Sequence, residues 1–132
     1  MKIVVYEDHW SDVRRRYKPF IGGHDFEIYL HLNTDERFNR ALEYLTENGF
    51  PSEIIHFGIP QETPEADLYF CDGLNGYALK VLPKLPKDKS FLLSGDDCLV
   101  ARVRAEDFGI VDSQEKLDSL INLTNQKASI GT

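Results

Sequence analysis

A succession of five or six short apolar runs, each cut off by acids, a hydroxyl residue or a glycine, constrains this chain more than any other feature. Ile3-Val4-Val5-Tyr6 halts at Glu7-Asp8, Leu68-Tyr69-Phe70-Cys71 at Asp72-Gly73, Phe91-Leu92-Leu93 at Ser94-Gly95-Asp96, and Phe108 to Val111 at Asp112-Ser113. Ile54-Ile55-His56-Phe57 is ended by Gly58 and Pro60. A run that is apolar throughout describes a strand covered on both faces, which is what a parallel sheet demands. Phe26 to Leu32 approaches alternation instead, and reads as a half-exposed strand suited to a sheet edge.

Between these runs the spacing turns helical. Apolar residues recur at Trp10, Val13, Tyr17 and Phe20. Asn33, with Glu36 three residues on, predicts a capped helix that buries Phe38, Ala41, Leu42 and Leu45 and stops at Gly49. Tyr77 to Leu82 reads as a short helix halted by Pro83 and Pro86, and Asp96 or Asp97 as the cap of one running to Val103. Asp112 and Glu115 open the last helix, which buries Leu117, Leu120 and Ile121. This alternation predicts one α/β domain, a three-layer sandwich around a mostly parallel sheet of five or six strands. The domain is expected over residues 1–125, with a frayed tail at 126–132.

Composition excludes several function classes. There are 15 basic and 22 acidic side chains, a net charge of −7, with the acids spread along the chain. No basic face is therefore expected to neutralise nucleic-acid phosphates. No apolar stretch reaches the roughly 20 residues that cross a bilayer, so no membrane partner is expected, and no cleavable leader is expected ahead of Ile3. Cys71 and Cys98 lack paired spacing and sit among apolar neighbours, which predicts buried, reduced thiols in a cytoplasmic protein. His9, His24, His31 and His56 show no zinc-binding spacing, and neither Gly22-Gly23 nor Gly73-Leu74-Asn75-Gly76 forms a phosphate-cradling loop. Arg14-Arg15-Arg16 reads as a solvated helix face paired with nearby acids.

The chemistry gathers at strand ends. In an open parallel sheet, ligands sit outside the carboxyl ends of the strands, where the strand order reverses. If the strands ending in Glu7-Asp8, Asp72 and Ser94 are neighbours, their ends form one acidic pocket, with His9 on its rim or on the open surface. Clustered carboxylates repel, and a hard, oxygen-loving cation such as Mg²⁺ makes such a cluster tolerable.

In this order the segments resemble the receiver domain of bacterial response regulators, a flavodoxin-like fold. Val5-Tyr6-Glu7-Asp8-His9 is similar to the acidic pair that closes the first receiver strand, and Ala66-Asp67-Leu68-Tyr69-Phe70-Cys71-Asp72 to the strand that ends in the phosphoacceptor. Phe91-Leu92-Leu93-Ser94-Gly95 resembles the strand ending in the switch hydroxyl, and Arg104 to Val111 the segment carrying the switch aromatic. The resemblance implies that Glu7, Asp8 and Asp72 hold Mg²⁺. It implies that Asp72 accepts a phosphoryl group from a histidine kinase or phosphotransfer protein, that Ser94 bonds a phosphoryl oxygen, and that the Phe108 ring reports the bond. A stand-alone receiver, with no output domain expected after it, would signal through another protein or as a homodimer.

Several positions depart from the receiver pattern. Val111 stands where receivers carry a lysine; Lys116, Lys80 or Lys84 are the candidates to replace it in space. The loop after Asp72 has no proline, and the segment from Asp96 to Ala105 is short for its helix. Either Phe26 to Leu32 or Ile54 to Phe57 is surplus to five strands, and Asn48-Gly49-Phe50 resembles the end of the first receiver helix, which would make part of the preceding region an insertion. Two alternatives stand beside the phosphoacceptor reading. One is a pseudo-receiver that binds a protein near Phe108 and Leu117 without being phosphorylated. The other is a Toprim-like metal-dependent phosphotransfer enzyme, for which Asp96-Asp97 lacks the usual Asp-x-Asp spacing.

Overall fold

The structure, a computed structural model, describes residues 1–94 and 97–130. Gly95, Asp96, Gly131 and Thr132 lie outside the described residues, and with them the proposed Asp96 cap. Six strands form one sheet: β1 (Lys2–Glu7), β2 (Asp25–Leu30), β3 (Ile55–Phe57), β4 (Leu68–Asp72), β5 (Ser90–Leu93) and β6 (Gly109–Val111). Every neighbouring pair is parallel, in the order β3-β2-β1-β4-β5-β6. The helices are α1 (Trp10–Tyr17), α2 (Asp35–Glu47), α3 (Ala78–Val81), α4 (Asp97–Ala105) and α5 (Gln114–Ile130). Among the described residues, no helix is long and apolar enough to cross a membrane.

The continuous apolar runs are buried on both faces, as a parallel sheet requires. Ile3, Val5, Ile28 and Phe70 face a layer built from Val13 and Tyr17 of α1, Ala41 and Leu45 of α2, and Leu117 and Ile121 of α5. Val4, Tyr6, Cys71 and Leu92 face the opposite layer, formed by Ala78 and Val81 of α3 and Leu99 and Val103 of α4. This is a three-layer α/β sandwich, and without β3 the five remaining strands follow the flavodoxin-like order. The surplus strand is therefore β3, at the edge.

Several local expectations change. The Phe26–Leu32 segment is not at an edge, because β2 pairs with both β1 and β3. Its polar alternation has another origin: residues 58–67 return from β3 to β4 without a helix, so one face of β2 is only partly covered. There the rings of Tyr6 and Tyr29, then Tyr29 and His56, stack at 5.7 and 4.8 Å, and His56 pairs with Glu27 across the strands. Thr34, not Asn33, caps α2 by accepting the Arg37 N–H, and Glu36 pairs with Arg40 one turn on. Ser113 caps α5 by accepting the Lys116 N–H. Cys71 is buried as predicted, but Cys98 is exposed, because it falls in the first turn of α4 ahead of the sheet-facing Leu99.

Gly109 begins β6 because the Phe91 ring lies across it. A Cβ there would clash with Phe91 Cδ1 and Cε1. Gly109→Ala is expected to cost about 1–3 kcal/mol through overpacking, read as a lowered urea midpoint at unchanged slope.

Candidate functional site

Strand register sets Glu7 and Asp72 side by side. Tyr6 pairs with Cys71, so the next residues of β1 and β4 are level. The two-residue period of a strand turns them away from the layer that takes Tyr6 and Cys71 and toward α1. From this point β1 leads to β2 on one side and β4 to β5 on the other, and their helices leave toward opposite faces. The crevice between them is the point at which the strand order reverses. Glu7, Asp8 and Asp72 each bring an oxygen within 4.8 Å of the others. Ser94, one residue beyond the Asp72–Leu93 pair, lines the same cleft of about 530 Å³ with Asp8, Asp72 and Gly73.

The carboxylates are held in different ways. Glu7 is 1% exposed. Its Oε1 accepts the backbone N–H groups of Asp8 and His9 at 3.1 Å each, which closes the turn into α1 where His9 supplies no side-chain cap. Its Oε2 accepts from Arg16 Nη1 at 2.7 Å, and that nitrogen lies 3.5 Å from Asp72 Oδ1. Asp8, whose side chain is 12% exposed, has Oδ2 3.9 Å from His9 Nε2. Its Oδ1 is sealed from solvent and meets no hydrogen-bond donor among the described residues. Burial first, then the neighbouring Asp72, pushes the Glu7 carboxyl up to about 10. Burial also raises Asp72; its side-chain hydrogen bond with Glu7 opposes the rise, Asp8 adds to it, and Arg16 opposes it.

Arg16 was not singled out by the sequence, which gave Arg14-Arg15-Arg16 as one solvated face. Arg15 fits that description, exposed and paired with Asp12 at 2.8 Å. Arg16 does not. It follows Val13 by three residues and precedes Tyr17, and those two are the buried residues of α1. That spacing places it on the stripe that faces the sheet, a legible signal. Helical side chains lean toward their own N-terminus, so the guanidinium reaches back up to the strand ends. The cation joining the cluster is thus Arg16, not Lys80, Lys84 or Lys116. Lys80 instead lies over the Tyr77 ring, and Val111 is buried at the end of β6.

Phe108 is not brought to Ser94 or Asp72. It directly precedes β6, at the end of the sheet where strands begin, with Lys87 Nζ 5.5 Å from its ring centre. The loop after β4 is closed by three successive left-handed residues, Leu74 (φ 52°), Asn75 (φ 54°) and Gly76 (φ 93°). Such backbone is unfavourable for Leu74, and burial of its side chain offsets the strain. Gly73 brings this loop against the neighbouring strand end, since a Cβ there would lie 3.5 Å from Ser94 Oγ and 3.1 Å from Leu99 Cδ2.

The residues fit a divalent cation. All donors are carboxyl oxygens and the Asp8 Oδ1 lone pairs are unused; with a proton held at Glu7 and Arg16 as counter-charge, Asp8 and Asp72 leave the cluster net negative. Asp8 and Asp72 are the available ligands; Glu7, engaged by two backbone N–H groups and Arg16, stands behind them. No protein-family model, curated protein or solved structure matches the chain.

Proposed function

We propose that this chain is a receiver-like signalling domain that accepts a phosphoryl group at Asp72, with Mg²⁺ held by Asp8 and Asp72, and acts through a protein partner. The supporting observation is the sealed, unpartnered Asp8 Oδ1 beside Asp72 in an acidic crevice. In the transfer, an Asp72 oxygen bonds to phosphorus as the phosphorus–nitrogen bond of a phosphohistidine on the donor breaks, and the released imidazole takes up a proton. When bound, Mg²⁺ would neutralise charge on the transferring group. Arg16 holds the Asp72 carboxylate, and the Ser94 hydroxyl stands at the next strand end to donate to a phosphoryl oxygen.

Incubation with acetyl phosphate and Mg²⁺ is expected to add one phosphoryl group, read by intact mass; an unchanged mass overturns the proposal. A second reading, a pseudo-receiver binding its partner without phosphorylation, is favoured by Arg16 already pairing with Asp72 and by apolar Val111 at the end of β6. In that case mass stays unchanged and partner binding survives Asp72→Asn.

A further inference from the structure

We infer that Arg16 couples the charge at Asp72 to helix α5, making α5 the element that reads the site; this rests on the divalent site proposed above. Arg16 touches both ends of the path. Its guanidinium bridges Glu7 and Asp72 at 2.7 and 3.5 Å. Its backbone carbonyl accepts a hydrogen bond from Gln114 Nε2 at 3.0 Å, and that nitrogen also donates to Asp118 Oδ1 at 2.9 Å. Gln114 is the first residue of α5, so one side-chain amide ties the last turn of α1 to the first turn of α5.

The charges give the tether two positions. With the carboxylates bare, Arg16 is their counter-charge and is held against both. A divalent cation between Asp8 and Asp72 satisfies the same oxygens and repels the guanidinium, so the tie to Asp72 loosens. Beside Arg16 a cavity of about 120 Å³, lined by Ser94, Val111, Ser113 and Gln114, opens between α1 and α5. The displaced guanidinium moves into this space, toward Gln114. Phe108, packed beneath Lys87 at the opposite end of the sheet, lies off this path.

Titration with MgCl₂, followed by two-dimensional amide NMR, tests the coupling. In the wild-type chain the signals of Asp8, Asp72 and Gly73 report binding, and those of the Gln114 side-chain amide and residues 114–118 are expected to move with the same midpoint. Arg16→Met is expected to bind Mg²⁺ about tenfold more tightly, because a competing cation is gone, and to lose the α5 response. Arg16→Lys keeps the charge and is expected to stay within about threefold of wild type. Gln114→Ala, which leaves the carboxylates untouched, is expected to bind Mg²⁺ normally without moving residues 115–118. Binding at Asp8 and Asp72 with α5 silent in the wild-type chain, or an α5 response that survives Gln114→Ala, overturns the coupling alone. No Mg²⁺ response anywhere removes the divalent site, and the coupling with it.

Discussion

Asp72→Asn is expected to abolish phosphoryl incorporation completely and to make the protein more stable. The amide keeps the size of the carboxyl and its place beside Gly73 in the cleft, but has no anionic oxygen to attack phosphorus. It also removes one of three crowded carboxyl groups, each within 4.8 Å of the others, and with it the repulsion between Asp72 and Asp8 that Arg16 only partly offsets. Relief of that repulsion is expected to raise stability by about 1–2 kcal/mol near neutral pH, the usual sign when a functional site is neutralised. Intact mass after acetyl phosphate treatment and urea unfolding give the two readouts. Phosphate retained in the variant would locate the acceptor elsewhere. A less stable variant would make the Arg16–Asp72 pair a structural bond rather than a poised site.

The second large effect is a loss of stability with rising pH in the metal-free protein. Glu7 has a folded-state value near 10 against an ordinary 4.5, so the native state holds a proton that the unfolded chain releases. Its contribution is fully present below about pH 4.5 and is lost as pH rises toward 10. A single such proton gives a slope on the order of 1 kcal/mol per pH unit inside that window. Asp72, also raised, adds in the same direction, and its removal in Asp72→Asn is expected to flatten the curve. Urea midpoints at pH 5, 7 and 9 are expected to fall steadily in the wild-type chain. A flat profile would mean that the two N–H groups and Arg16 keep Glu7 ionised throughout.

The layering was legible in the residues, since residues 3–6 of β1 and 68–71 of β4 are apolar without a break and buried on both faces. The convergence of Glu7, Asp8 and Asp72 followed from the same pattern, because each run stops where its strand leaves the sheet. Two things stayed hidden. Which strand was surplus depended on long-range pairing, and Ile55–Phe57 and Asp25–Leu30 look equally strand-like until partners are assigned. Arg16 was obscured because a run of three arginines reads as one polar surface, although the helical period assigns only Arg16 to the face shared by Val13 and Tyr17. Phe108 shows the converse. A short segment can match a pattern in order along the chain and still lie at the far end of its strand.

The ten residues from Gly58 to Asp67 cross from β3 to β4 without a helix, with Ile59 and Ala66 packed against the core and hydrogen bonds at both ends, from Gly58 N–H to the Leu30 carbonyl and from Asp67 N–H to the Lys2 carbonyl. That leaves β3 held by three paired residues, the Glu27–His56 clasp, the Tyr29–His56 stack, the Phe38–Phe57 ring contact and the buried Ile55, with a partner strand on one side alone. The edge and its crossover should therefore form a separate unfolding unit of low local free energy. Its amides are expected to exchange with deuterium well before those of Val4, Val5 and Phe70, so that this margin can open and close while the crevice keeps its shape.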